Sequence, residues 1–382
     1  MKTLILSCNT GQGHNSCAQA LQEYYQQQGD ICDIADALEF ISESFSRFLS
    51  WGHVTMYRHF PRLFRIGYRY SEKHPALFRE KSGIYKLLTL GTERIYQYIL
   101  SGGYDCVICT HVFSGLMMTD VLKKHPMTIA TCLLATDYTC SPCVKDSTMD
   151  LYFIPSPSLS CDFECATIRD SQLRSVGIPL RQDFYQAVDK ASAKKHFQVP
   201  EAHTHLLIMC GSMGCGPIQK LAQGLSGKVA HDVDISIVCG TNRRLEKKLR
   251  RKFAGNARMH IWGYVQEMSL LMDAADLCLT KPGGISVTEA ALKNLPMVLI
   301  DAVAGCEEFN RIFYVRNGGA KTGENSRELE KLTLELLSRP EQLDRMRSRL
   351  GELPKGNACA LIYRQMKELL EKKVYENCPS GC

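Results

Sequence analysis

The sequence predicts an α/β protein built from two doubly wound, Rossmann-like parallel-sheet domains, and three observations carry that prediction. Short apolar runs alternate with amphipathic stretches nearly throughout, the pattern of strand-helix-strand units on parallel sheets. The chain has 382 residues, beyond the ~250–300 at which a single hydrophobic core stops growing. The same strand-loop-helix order then runs twice, with a break near Arg181.

In the first half, apolar runs place strands near residues 3–8, 31–37, 105–110, 128–135, 150–155 and 175–178. In the second half the runs fall near 205–211, 234–240, 258–262, 277–281 and 297–301. Between them, GIPLRQDF (177–184) leaves a strand and reaches the charged stretch Asp189–His196, which reads as a linker. The domains are therefore drawn at 1–181 and 182–356. Residues 357–375 read as one helix with Leu361, Met366, Leu369 and Leu370 on its apolar face, returning to the first domain. Two such sheets facing a cleft bind ligands at the carboxyl ends of their strands.

Composition narrows the class. With 45% hydrophobic and 23% charged residues the chain is ordinary globular protein. No apolar stretch reaches the ~18 residues of a membrane span, so a soluble or peripheral protein is expected. The opening MKTLILSCNTGQGH has an apolar core of only three or four residues and reads as a strand, not a secretion signal. Most of the 18 cysteines stand alone inside apolar runs, which suits small buried hydrophobes in a reducing cytoplasm. Cys140, Cys143, Cys161 and Cys165 could offer four thiolates to zinc. Loop cysteines are the preferred reading, because the intervening run 150–155 looks like a core strand.

Formal net charge is +6, from 46 basic and 40 acidic residues, and residues 41–90 alone hold nine Lys/Arg against three Glu. That window also carries ten of the 32 aromatics, with Trp51, Phe60 and Phe64 interleaved with Arg62 and Arg65. Basic plus aromatic is the composition of a surface that docks on anionic lipid headgroups or on nucleic acid. No RNA-binding motif supports the second option, so no nucleic-acid partner is expected.

The chemistry is expected in the strand-to-helix loops. Gly11, Gly13 and His14 lie in GQGHNS after the first strand; Gly211, Ser212 and Met213 open the second half; Thr241 follows its second strand. Lys281-Pro-Gly283-Gly284-Ile-Ser286 precedes a helix placed at Val287–Lys293, with Glu289 in its first turn. Glycines let backbone N–H groups approach a ligand, and a helix N-terminus favours an anion. A diphosphate resting on Gly283, Gly284 and Ser286 leaves Glu289, one turn on, to reach both hydroxyls of a ribose. Each loop alone is also readable as a plain tight turn.

The set GxGH, Thr136-Asp137-Tyr138, Gly211-Ser-Met-Gly214, Gly263-Tyr264-Val265 and Lys281-Pro-Gly-Gly284, followed by S-x-x-E-A, runs in order through the chain. It resembles the monogalactosyldiacylglycerol synthase and processive diacylglycerol glucosyltransferase group of glycosyltransferase family 28, over roughly residues 3–350. The resemblance implies a GT-B fold and inverting transfer of a hexose from a UDP-sugar to a membrane lipid, diacylglycerol foremost. It implies work at the inner, cytoplasmic membrane face, with 41–90 as the dock, and no cofactor or obligatory metal, the UDP-sugar being a co-substrate. It implies that Tyr264 and Val265 receive the uracil through backbone groups. Glu307, Glu308 and Asn310 are candidates for the sugar hydroxyls, or a dipole-favoured acidic helix start. Asp232-Val-Asp234 imitates a metal-binding DxD but reads better as the start of a strand.

His14 is the candidate general base, since its ordinary pKa near 6.5 suits proton removal from the acceptor hydroxyl; the plainer reading is a polar helix cap. Asp137 either orients His14 or the acceptor, or caps a helix. The chain departs from the family at Cys143 and Val144, where aromatics are usual, and at Cys306, where glutamine is. Two rival readings remain: a UDP-GlcNAc transferase acting on a polyprenyl-diphosphate lipid, which shares the GG-x-S-x-x-E-A segment, and a basic aromatic nucleic-acid-binding protein.

Overall fold

The computed structural model describes all residues except 10, 11, 81, 215, 301–304 and 378–382, and the side chains of 57–59, 61, 62, 75 and 377 are likewise outside the description. The chain divides into two compact units: Met1–Gln182 with Ala304–Cys306 and Lys355–Cys382, and Asp183–Val303 with Glu307–Pro354.

Unit 1 opens with β1 (Lys2–Ser7), α1 (Gln12–Gln27) and β2 (Ile31–Asp36). Four helices follow: α2 (Glu43–His59), α3 (Pro61–Lys73), α4 (Gly83–Leu88) and α5 (Thr92–Gly102). Then come β3 (Cys106–Cys109), α6 (Val112–Lys124), β4 (Ala130–Leu134), β5 (Leu151–Ile154), α7 (Ser160–Phe163) and β6 (Leu173–Ser175). The strands form one six-stranded parallel sheet in the order β2-β1-β3-β4-β5-β6. Helices on both faces explain why the strands are continuous apolar runs: Leu4, Ile5, Leu6, Val107, Ile108 and Phe153 are all fully buried.

Unit 2 opens with α8 (Lys190–His196), β7 (Thr204–Met209), α9 (Ile218–Ser226), β8 (Val233–Val238), α10 (Arg243–Lys252) and β9 (Met259–Trp262). It continues with α11 (Met268–Ala274), β10 (Leu277–Thr280), α12 (Gly284–Leu292), β11 (Met297–Leu299) and α13 (Cys306–Arg316). It ends with β12 (Ala320–Thr322), α14 (Ser326–Leu337) and α15 (Pro340–Gly351). Its parallel sheet runs β12-β11-β10-β7-β8-β9. Helix α9 buries Ile218, Leu221, Ala222 and Leu225, the i, i+3, i+4, i+7 stripe of a core-facing helix, against Ile208 and Ile237 in one cluster.

The last helix, α16 (Ala358–Asn377), returns to unit 1. Tyr363 meets Tyr25 edge-on at 5.0 Å, Arg174 Nε donates to Gln365 Oε1 at 2.9 Å, and Lys373 pairs with Asp150 at 2.7 Å.

Several elements differ from expectation for identifiable reasons. Asp189–His196 is not a linker: Asp189 caps α8 by accepting from Ser192 N, and α8 packs on α11. Lys194 is buried because its ammonium is satisfied by the carbonyls of Glu201 and His203. The expected strand 175–178 lies two to three residues earlier, as β6, and β12 forms where no apolar run marks a strand. Both are three-residue edge strands with too few residues to display a period.

Candidate active site

In an open parallel sheet, ligands bind beyond the carboxyl ends of the strands, where the strand order reverses. In unit 1 that point lies between β1 and β3, and in unit 2 between β7 and β10.

The unit 1 site is a group of imidazoles. His14 lies in the first turn of α1, which begins at Gln12, earlier than the expected glycine loop allows. Gly13 is therefore helical, and Gly11 lies outside the described residues. His14 Nδ1 is 2.7 Å from the carbonyl of Thr110, directly after β3, and 3.0 Å from Thr136 Oγ1, after β4. A carbonyl oxygen only accepts, so Nδ1 carries the proton and Nε2 keeps its lone pair.

His111 packs edge-on against His14 at 4.6 Å and caps α6, its Nδ1 accepting from Phe113 N at 3.0 Å. The sequence held the signal for His111, a Thr-His pair closing an apolar strand as His14 follows β1, yet only the fold brings the two rings together. His53 of α2 is the third imidazole, packed edge-on against Phe64 of α3 at 5.2 Å. A small cavity adjoins the group, lined by His14, Thr110, Thr136, Ser141, Leu133 and Tyr152. Asp137 is partly buried in the turn after β4, its carbonyl accepting from Thr139 N at 2.8 Å. No helix starts at Asp137, so the helix-cap reading fails, and His14 Nδ1 is oriented by Thr110 and Thr136.

Burial pushes His14 down to about 4, with repulsion from His53 adding and the Thr110 carbonyl opposing. Burial also lowers His53, and burial followed by repulsion from His14 and His53 takes His111 well below its ordinary value. In unit 2, burial pushes His205 down to about 4. The unfolded chain thus binds more protons than the folded one between about pH 6.5 and pH 4. This contribution to stability is complete above the unfolded value and is lost as pH falls through that window. The melting temperature is expected to drop between pH 7 and pH 5, by less in the His14→Gln protein; an equal drop in both would remove His14 from the account.

From the same unit the hairpin α2–α3 exposes apolar side chains: Trp51, Phe48 and Ile66 are each 65% accessible, and Phe60 is 54%. Phe64 and Arg65 are half-buried, and the side chain of Arg62 lies outside the description. Among the described residues no helix is long and apolar enough to cross a membrane.

The unit 2 site is a set of glycine loops. Gly211 and Gly214 adopt φ of +66° and +54°, closing a turn after β7, and Gly240 adopts +57° after β8. The two loops are stitched together: Thr241 N and Oγ1 donate to Ser212 O at 2.8 and 3.2 Å, and Asn242 Nδ2 donates to Gly214 O at 3.2 Å. Gly240 N reaches Gly263 O at 3.1 Å, which ties in the loop bearing exposed Tyr264 and half-buried Val265. Met213 is half-buried in the first of these loops.

Across the reversal point, Lys281 is buried, and a Cβ at Gly216 would stand 3.3 Å from Lys281 Cε. Helix α12 starts at Gly284, three residues before the expected start, so Ser286 sits in its first turn. Its cap residue, Gly283, makes no side-chain cap bond and has nothing within 4 Å of where a Cβ would be. No side chain caps the first turn of α12, and the N–H groups of a helix's first turn are the kind of donor set that binds an anion. Glu289 lies further along α12, partly buried.

On α13, Asn310 is fully buried and its Nδ2 donates to Pro282 O at 3.0 Å, holding the Lys281–Gly284 loop from behind. Glu307 lies in the first turn, and Glu308 forms a two-pronged pair with Arg311. Asp234, the second acid of the DxD-like segment, is buried in β8 and accepts from His203 Nδ1 and His260 Nε2, both at 2.6 Å. Among the described residues no group of three or more His, Cys, Asp or Glu is placed to hold a metal ion, and this includes Cys140, Cys143, Cys165 and Cys161, the last of which lies in α7 and not in a loop.

Two family profiles match the chain: monogalactosyldiacylglycerol (MGDG) synthase over residues 14–180, and the glycosyltransferase family 28 C-terminal domain over 205–356. Monogalactosyldiacylglycerol synthase 1 of Arabidopsis thaliana is 25% identical across 97% of this chain and 72% of its own length. The processive diacylglycerol beta-glucosyltransferase of Bacillus licheniformis is 25% identical across 96% of this chain and 95% of its own. Among solved structures, Acinetobacter baumannii MurG superposes with a TM-score of 0.66 at 14% identity, covering 96% of this chain and 100% of that one. With its two reversal-point sites and its place on the GT-B fold, the chain belongs to the monogalactosyldiacylglycerol synthase and processive diacylglycerol beta-glucosyltransferase group of glycosyltransferase family 28 and is an enzyme of the UDP-sugar hexosyltransferase kind.

Proposed function

We propose that the enzyme transfers a hexose from a UDP-sugar to diacylglycerol, with inversion, while held peripherally on the cytoplasmic face of the membrane. The observation that carries this reading is in unit 1: His14 has its tautomer fixed by the Thr110 carbonyl, and the same unit bears the hairpin α2–α3, where His53 packs on Phe64 and Phe48, Trp51 and Ile66 are exposed. One unit thus holds both a base for a hydroxyl and an exposed apolar surface of the kind a lipid acceptor calls for.

In this reaction the acceptor oxygen attacks the anomeric carbon while His14 Nε2 takes its proton. The bond from that carbon to the diphosphate oxygen breaks, and its electron pair leaves with UDP. Unit 2 supplies what the leaving group needs: the uncapped N-terminus of α12 with Gly283, Gly284 and Ser286 for the diphosphate, Glu289 for the ribose, and Tyr264 and Val265 for the uracil. Gly211, Ser212, Met213, Thr241 and Lys281 complete the donor cradle, Glu307 and Glu308 serve the sugar side, and buried Asn310 acts through the loop it holds, not on the sugar hydroxyls. A helix terminus doing this work requires no obligatory metal.

The test is a product assay by mass spectrometry, with purified protein and diacylglycerol in anionic mixed micelles. UDP-glucose, UDP-galactose, UDP-N-acetylglucosamine and UDP-glucuronate are supplied one at a time. A glycosyl-diacylglycerol from one donor is the expected result and names the sugar. UDP binding without that product would overturn the acceptor and favour a polyprenyl-diphosphate lipid; no UDP binding would overturn the reading altogether.

A further inference from the structure

Residues 41–90 are not the only concentrated charge in the chain. Helix α10 reads RRLEKKLRRK, seven cations against the single Glu246, a net +6 within ten residues. All seven cations are exposed, while Leu249 is buried and Leu245 half-buried toward the sheet. Strand β9 is an edge of its sheet and α10 packs against it. At 1.5 Å per residue the cationic face is about 15 Å long.

This is not how a solvated helix is usually charged. Exposed helices interleave signs at i, i+4, whereas α10 sets Arg243 against Lys247, Arg244 against Lys248, Lys247 against Arg251 and Lys248 against Lys252. Only Arg250 has a carboxylate partner among the described residues, Glu246 at 2.9 Å. Such an arrangement repels itself in the free protein and is relieved when a plane of negative charge covers it.

We propose that α10 is a second membrane-docking surface, on the donor-binding unit, that lies flat on anionic phospholipid headgroups. The proposal rests on the lipid-acceptor reading above and extends it, since unit 1 then docks by insertion of aromatic and aliphatic side chains and unit 2 by charge alone. Lipid is favoured over nucleic acid because α10 has no aromatic side chain on which a base could stack.

The test uses the full chain and the triple variant Arg243→Gln, Lys247→Gln and Arg251→Gln, a stripe opposite Leu245 and Leu249 made of residues with similar helix propensity. Partition is measured by co-flotation with vesicles of phosphatidylcholine and phosphatidylglycerol, two to one, holding neither diacylglycerol nor UDP-sugar. Loss of three surface charges is expected to lower partition about a hundredfold at low salt, with the gap closing at high salt and absent on pure phosphatidylcholine. Unchanged partition on the anionic vesicles would overturn the proposal. So would an intact vesicle interaction accompanied by lost retention of a single-stranded RNA oligonucleotide, which would assign the helix to nucleic acid. Glycosyl transfer in uncharged micelles is run in parallel and should be equal in both proteins. Absence of product there sinks the acceptor reading without touching the flotation result.

Discussion

Replacing His14 by alanine is expected to lower kcat by about 10²- to 10⁴-fold, the usual worth of a positioned general base. The UDP-sugar KM should stay within a few-fold of wild type, because the proposed donor contacts all lie in unit 2. The geometry fixes the sign. Thr110 O holds the proton on Nδ1, so Nε2 is the basic nitrogen. With its pKa pushed down to about 4, the ring is neutral through the physiological range and takes the acceptor proton only as the forming carbon–oxygen bond makes that hydroxyl acidic. The acid limb of kcat/KM in the wild type should therefore fall near pH 4 rather than near 6.5. His53→Gln removes one repulsive neighbour and should move that limb upward, with kcat on the plateau little altered. A His14→Ala protein with near wild-type turnover and unchanged melting behaviour would leave His14 a helix-terminus residue and no more.

The pairing of these imidazoles also marks the limit of what the sequence discloses. The fold class was legible because both sheets are buried on both faces, so Leu4–Leu6, Val107–Ile108, Leu206–Ile208 and Leu277–Leu279 are unbroken apolar runs. The loops were legible because glycine and a following helix are local signals. His111 is not legible in the same way, because its meaning depends on β3 lying beside β1, a fact of strand order that no local pattern encodes. Charge misled twice. The segment 189–196 looked like a linker although a buried Lys194 with three polar partners, Glu201 O, His203 O and Asp276, holds it in the unit. The helix 243–252 is masked by summing: its +6 is offset by acids elsewhere in the chain, and the window 41–90 by itself already equals the chain's net +6.

Gly240→Ala is expected to cost about 2–4 kcal/mol of stability and to weaken UDP binding at least tenfold. Two effects add. The residue sits at φ +57°, where a side chain costs about 1–2 kcal/mol on its own. Its Cβ would also stand 2.1 Å from Ser212 O, a backbone atom that no rotamer change can move aside. The loops at 211–214 and 240–242 would have to part, breaking the Thr241 N to Ser212 O bond that sets the donor cradle. Gly255→Ala in the same unit isolates the first effect, since Gly255 has φ +82° but nothing within 4 Å of a Cβ. Chemical denaturation and calorimetric titration with UDP, run on both variants, separate strain from collision. If Gly240→Ala loses no more stability than Gly255→Ala and still binds UDP like wild type, the two loops move independently and the donor site does not depend on their being stitched. If it loses the extra stability together with the nucleotide, the close approach of two glycine turns is what shapes the cradle, and the glycines are there for proximity rather than for flexibility.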